Sequence, residues 1–313
     1  MNIFFIGCVA FSHTSLQTLI DMSATTDIHI VGVATKAESS FNADFCNLAP
    51  LCEENHIPYI YAPDINAPHI FDFIESCAPD VIYCLGWSSL IKEKFLTSYP
   101  IIGYHPTALP HNRGRHPIIW ALALGLDKSA SSFFLMDKGA DSGDIISQVP
   151  FDIAFTDNAA SVCEKVEKIA QQQIYDFTTK ILALKAKNIV GGGGLYTYRS
   201  IISSMATPQE HTYANLWRKR GMRDGIIDFR MSALGIYNLI RALSKPYVGA
   251  EVLYNDTYYK VWEAKIIEID LPHIESGKIL KVDSQGILVK AYDKGLLLTK
   301  HELNPLPKEG SYF

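Results

Sequence analysis

Residues 103–120 read GYHPTALPHNRGRHPIIW and bring three imidazoles, His105, His111 and His116, into one short stretch. His105 closely follows an apolar run, Tyr99-Pro-Ile-Ile, so it belongs where a strand ends. Pro106 and Pro110 fix backbone angles on either side of the loop that follows. A rigid loop suits the close placement of reacting groups. Histidine takes and gives protons near neutral pH, but a lone histidine is more often structural. For His111 and His116 the structural reading is preferred, since neither has an evident orienting partner in the sequence. His105 differs only if a carboxylate reaches it. Residues 137–144, DKGADSGD, supply candidates in Asp137, Asp141 and Asp144, clustered on a glycine-rich loop after an apolar strand. An ordinary turn is one reading of that loop. An oxygen-ligand metal site is a second, disfavoured because the acidic residues do not alternate as they do in a helix–loop calcium motif. An Asp–His pair is the third. A carboxylate beside an imidazole favours its charged form and fixes its tautomer, which would make His105 a general acid or base.

These groups need a scaffold, and the first half of the chain alternates short apolar runs with helical spacing. Strands are predicted at residues 2–6, 29–33, 58–61 and 81–85. Helices are predicted at 15–22, 50–55 and 70–77, and Pro117 suits the first turn of a helix over 118–124. That order favours a parallel sheet with helices on both faces, which binds ligands beyond the carboxyl ends of its strands. A long helix over about 158–186 stops near four glycines at 191–194. No Lys-Ser/Thr follows that run, so it reads as a linker and not as a phosphate loop. Beyond residue 207 the texture changes. One amphipathic helix at 231–243 precedes five short runs at 250–254, 258–264, 278–283, 287–291 and 296–299, which suggest a small barrel or sandwich. The fold class is therefore α/β, with a domain boundary near 195–210.

Composition narrows the function. In 313 residues, 28 Lys plus Arg stand against 33 Asp plus Glu, a net charge of −5, which disfavours a tight grip on a nucleic-acid backbone. The six cysteines form no C-x-x-C pair and suit reduced thiols in a cytoplasmic protein. No Lys or Arg precedes Lys36, so the apolar N-terminus lacks the basic start of a signal peptide, and no 18-residue apolar segment predicts a membrane span.

The stretch H-P-T-x-L-P-x-x-R-G-R-x-P-I-x-W, followed by G-x-D-x-G-D-I, resembles the folate-dependent formyltransferases, which include methionyl-tRNA formyltransferase and the sugar N-formyltransferases. Pro79-Asp-Val-Ile, Ser89-Leu-Ile, Asp224-Gly-Ile-Ile-Asp-Phe, Asn238-Leu-Ile-Arg-Ala-Leu and Pro246-Tyr-Val-Gly-Ala extend the resemblance over nearly the whole chain. It implies a Rossmann-like parallel-sheet catalytic domain at 1–200 and a smaller β-rich, OB-like domain at 207–313. It implies 10-formyltetrahydrofolate as cosubstrate and no metal. The pterin would lie against Ser89, Leu90 and Ile91 and against Asp137, Lys138, Gly139, Ala140 and Asp141, with Arg115 beside it. The family's proton-shuttling histidine matches His105, and the aspartate that supports it matches Asp141. The family's oxyanion-stabilising asparagine should stand two residues before the histidine, where this chain has Gly103. Asn112 is the nearest candidate to supply a replacement amide.

Two amine substrates compete within that resemblance. Initiator methionyl-tRNA needs a basic surface, and residues 205–313 hold only 15 Lys plus Arg against 13 Asp plus Glu. A nucleotide-linked aminodeoxy sugar needs only a few basic groups for its phosphates. The wording H-N-R-G-R-H-P-I-I-W resembles the sugar enzymes of bacterial surface-polysaccharide pathways, with pseudaminic-acid-type enzymes nearest. The expectation is a cytoplasmic sugar N-formyltransferase, with no membrane or nucleic-acid partner and with a homodimer as one open state. A methionyl-tRNA enzyme, or a binder that no longer turns over, is the alternative.

Overall fold

The computed structural model describes residues 1–39, 43–190 and 197–313, with side chains 188–190 left out; the glycine run at 191–194 lies outside them. In chain order the elements are β1 (Asn2–Ile6), α1 (Ala10–Ser23), β2 (His29–Thr35), α2 (Ala49–Glu54), β3 (Tyr59–Tyr61), α3 (Pro68–Ser76), β4 (Val81–Cys84), α4 (Glu93–Ser98) and β5 (Ile101–His105). There follow β6 (Arg113–Gly114), α5 (Pro117–Ala123), β7 (Lys128–Leu135), β8 (Ile145–Asp152), α6 (Ala159–Val190), α7 (Tyr198–Met205) and β9 (Leu216–Trp217). The last elements are α8 (Ala233–Leu243), β10 (Ala250–Tyr254), β11 (Thr257–Ile267), β12 (Ile279–Asp283), β13 (Gly286–Lys290) and β14 (Gly295–His301).

Seven strands form one sheet in the order β3-β2-β1-β4-β5-β7-β8. Strands β1 to β5 run parallel, as their uninterrupted apolar runs predict for strands covered on both faces. Alternate side chains divide between two cores. Ile3, Phe5, Tyr83 and Ile102 face one side with Leu16 and Leu19 of α1 and Ile174 and Phe177 of α6. Phe4, Ile6, Ile82, Cys84 and Ile101 face the other with Ile70 and Ile74 of α3 and Phe95 of α4. The sheet is not parallel throughout, because β7 pairs antiparallel with β5, with Ser132 opposite His105. Helix α1 also starts five residues earlier than its apolar spacing suggests. Ser12 accepts the main-chain N–H groups of Cys8 and Val9 and donates to Leu85 O at 2.6 Å, so a polar residue that interrupts the apolar run starts the helix.

Two compact units form, each discontinuous in sequence: Met1–Gly114, Ala130–Phe151 and Lys165–Leu216 make the first, and Arg115–Ser129, Asp152–Glu164 and Trp217–Phe313 the second. In the second unit, β10-β11-β14-β13-β12 make a five-stranded antiparallel sheet. The five predicted strands thus make one sheet, not a two-sheet sandwich. Helix α8 is capped by Ser232, whose hydroxyl accepts Gly235 N–H, and it buries Ile236, Ile240 and Leu243. Its buried Arg241 donates to the carbonyls of Ala154 and Asp157, which ties the 152–164 segment to this unit. Among the described residues no helix is long and apolar enough to cross a membrane.

Candidate active site

His105 is the last residue of β5 and is 4% exposed. The loop after it is pinned along its length. Thr107 Oγ1 donates to His111 O, Ser132 Oγ donates to Thr107 O, and Gln148 Nε2 donates to both Leu109 O and Ser132 Oγ. The imidazole meets two acceptors. Its Nε2 lies 2.8 Å from the main-chain carbonyl of Asn112, and its Nδ1 lies 3.6 Å from Asp141 Oδ2. A carbonyl only accepts, so Nε2 carries a proton, and in the neutral ring the basic lone pair is on Nδ1, facing the carboxylate. At 3.6 Å the Nδ1–carboxylate separation is too long for a direct hydrogen bond, although the carboxylate faces that nitrogen.

Asp141 is set by its own loop. Its φ is +53°, a left-handed conformation that Asp tolerates better than most residues, and Oδ2 accepts Gly114 N–H at 2.9 Å. Asp137 Oδ1 accepts from Gly139 N–H and Ser142 Oγ. Gly143 passes so near Leu135 that a Cβ there would lie 1.7 Å from the Leu135 carbonyl, so only glycine lets the loop turn. Of the three acidic residues, only Asp141 is brought to His105. The Asp144 carbonyl accepts Leu135 N–H at the loop's close, and Asp137 is exposed and serves the turn. The described residues hold no group of three His, Cys, Asp or Glu side chains that could hold a metal.

Asn112 enters the site by its main chain. Its φ of +64° is one that Asn adopts readily, and that turn aims the carbonyl at His105 while its N–H donates to Asn215 Oδ1 at 2.7 Å. Asn215 and Gln209 are the residues that spacing did not single out. Gln209 is 5% exposed, accepts from the Arg113 guanidinium at 2.6 Å, and donates to the carbonyls of Asp141 and Gly143. One amide therefore clamps the histidine loop to the aspartate loop, across about a hundred residues of sequence that carry no local pattern for it.

The remaining predicted residues are placed as follows. Ser89 and Leu90 are exposed after β4, Ile91 is buried, and Asn66 holds this loop by donating to Leu90 O and accepting Lys92 N–H. Lys138 and Ala140 are exposed on the Asp141 loop. Arg115 belongs to the second unit, where its N–H donates to Trp217 O. His111 is exposed, its ring 6.5 Å from that of Tyr213. His116 precedes α5 with φ +54°; burial, then Arg220, Arg115 and Lys219, hold it below the usual histidine range. Neither imidazole meets a carboxylate as His105 does.

At Gly103 the space beside the strand is already filled. A Cβ there would lie 2.8 Å from both Met136 Cγ and the Phe134 ring. Apolar side chains thus occupy the place of the amide that the resemblance leads one to expect. Gly103→Asn should therefore lower stability by about 1–3 kcal/mol, as overpacking does, and should not raise turnover. A melting curve that coincides with wild type, together with faster turnover, would refute this.

Residues 5–178, more than half of the chain, match the family model described as formyl transferase, and residues 221–306 match that of the formyl transferase C-terminal domain. The chain belongs to the formyl transferase family. A methionyl-tRNA formyltransferase of Clostridioides difficile (strain 630) is 26% identical over 309 residues, covering 97% of this chain and 92% of its own. One from Alkaliphilus oremlandii (strain OhILAs) is 28% identical over 92% of this chain and 87% of its own. Among solved structures, the sugar 3N-formyl transferase WlaRD, crystallised in the presence of dTDP and 5-N-formyl-THF, superposes with a TM-score of 0.63 at 18% identity, over 98% of this chain and 99% of its own. The N-formyltransferase from Helicobacter canadensis, in complex with folinic acid and dTDP-3-aminofucose, gives 0.62 at 16% identity, over 95% of this chain and 99% of its own. At these identities the likeness to both structures is one of fold. Within this formyl transferase, the Rossmann-like first unit carries His105 and Asp141, and the β-rich antiparallel sheet lies in the second.

Proposed function

We propose that this formyl transferase moves a formyl group from 10-formyltetrahydrofolate to the amine of an aminodeoxy sugar carried on a nucleotide. The observation that carries the transfer is the buried His105, protonated at Nε2 by its bond to Asn112 O and facing Asp141 with Nδ1. The folate supplies the formyl carbon, and attack by the amine leaves a proton to be moved from one nitrogen to another. Nδ1 of His105 takes and returns that proton, since Nε2 is committed to a carbonyl. Asp141 orients the ring, its carboxylate facing Nδ1. Asn112 acts as a positioning residue through its carbonyl. The residues proposed to hold the folate are Ser89, Leu90, Ile91 and residues 137–141, where loop N–H and C=O groups can read the donor–acceptor edge of a pterin.

The preference for a sugar over transfer RNA rests on charge. A net charge of −5, with near balance in residues 205–313, does not provide the basic surface that a polynucleotide backbone requires. One or two phosphates need far less. Sugars of the pseudaminic-acid type in surface-polysaccharide synthesis are the finer proposal, carried by the R-G-R-H-P-I-I-W wording. The test is a panel of aminodeoxy nucleotide-sugars with 10-formyltetrahydrofolate, read by mass for the gain of one formyl group, beside charged initiator tRNA. Formylated sugar and little formylated tRNA is the expected result. Efficient tRNA formylation with a steep salt dependence reverses the ranking.

A further inference from the structure

We infer that Trp87 is a folate-binding residue, its indole N–H kept as a donor for an acceptor on the pteridine. The inference rests on the formyl-transfer reading above and names a contact that neither spacing nor resemblance assigned. Trp87 Nε1 is shielded from solvent and has no hydrogen-bond partner among the described residues. Buried N–H donors almost always find partners, so an orphan beyond the end of a parallel strand points to a ligand. The ring is firmly placed. Leu85 is tied to β1 by its N–H to Ile6 O and to α1 by Ser12 Oγ on its carbonyl. Gly86 then turns the chain at φ +78°, where a Cβ would lie 2.4 Å from Ser12 Oγ. Trp87 packs against the core that holds Cys84 and Ile101, and the Lys36 ammonium lies 4.8 Å over its ring.

Register puts this core on the His105 side of the sheet. Cys84 of β4 pairs with Gly103 of β5, and Ile101, Gly103 and His105 alternate onto the face that Ile82 and Cys84 share. Two residues after Trp87 begins the loop Ser89-Leu90-Ile91 that Asn66 holds open to solvent. The indole that carries the orphan donor thus packs on the core that includes Cys84, the partner of Gly103, and lies two residues before the loop proposed to face the pterin.

Trp87→Phe keeps the ring and the place of the Lys36 contact and removes only the N–H. Without ligand it should melt no lower than wild type, because a buried donor without a partner contributes nothing to the fold. Titrated calorimetrically with 5-formyltetrahydrofolate, it should bind about tenfold more weakly, and the rise in melting temperature that this folate produces should shrink. Equal affinity for the folate in the two proteins, or a lower melting point without ligand and an undiminished folate-induced rise, overturns the inference. If the wild type itself fails to bind 5-formyltetrahydrofolate, the formyl-transfer reading falls and takes this inference with it.

Discussion

His105→Asn is expected to cut formyl transfer by about 100- to 10,000-fold, the usual contribution of a positioned general acid–base group. Binding of 5-formyltetrahydrofolate should stay within about threefold of wild type, since the loss falls on the chemical step. Asn can still donate an amide hydrogen toward the Asn112 carbonyl, so the loop should keep most of its order. It has no lone pair that can take a proton at neutral pH, so the exchange at Nδ1 ends. His105→Ala makes the complementary test. It leaves a cavity and an unpaired carbonyl in a site that is 4% exposed, at a cost of about 2–5 kcal/mol, so it should melt lower as well as fail to turn over. The Asn variant separates chemistry from stability. Turnover within about tenfold of wild type in that variant would remove His105 from the mechanism.

Asp141→Asn should lower turnover by about 100-fold or more with little change in stability or folate affinity. The φ of +53° suits Asn as well as Asp, so the turn should survive. The amide oxygen can go on accepting Gly114 N–H, which turns the amide nitrogen toward His105 Nδ1. That nitrogen donates, and it can face Nδ1 only when Nδ1 is unprotonated. Nε2 already donates to Asn112 O, so an amide donor placed against Nδ1 occupies the one ring nitrogen left to exchange a proton. The pH–rate profile should therefore change shape, which a residue serving only the turn would not cause. An unchanged profile with near-normal turnover would reduce Asp141 to a loop residue.

The parts of this site that were legible in the sequence are those governed by local rules. His105 follows an apolar run between two prolines, and Asp141 sits in a glycine-rich turn at another strand's end. Those facts place each at the end of a strand before any pairing is known. What was not legible depends on conformation and on distant partners. The sequence offers Asn112 for its amide, whereas in the fold a left-handed φ brings its main-chain carbonyl to His105 Nε2. Gln209 and Asn215 brace the loop from 96 and 103 residues away in sequence, with no periodicity to mark them. Strand β8, with only one fully buried residue, carried too weak an alternation to be read.

The α/β alternation, the family resemblance and the two groups most suited to proton transfer follow from local pattern. Apolar periodicity, proline and glycine act within a few residues, and a long motif of fixed spacing carries the resemblance. Long-range packing fixes that β7 runs against β5, that Asp141 alone of the three acidic residues meets His105, and that Met136 and Phe134 fill the space at Gly103. Each of these is a packing outcome between segments far apart in the chain. Close-packed interiors admit one solution for such neighbours, and local pattern does not specify it.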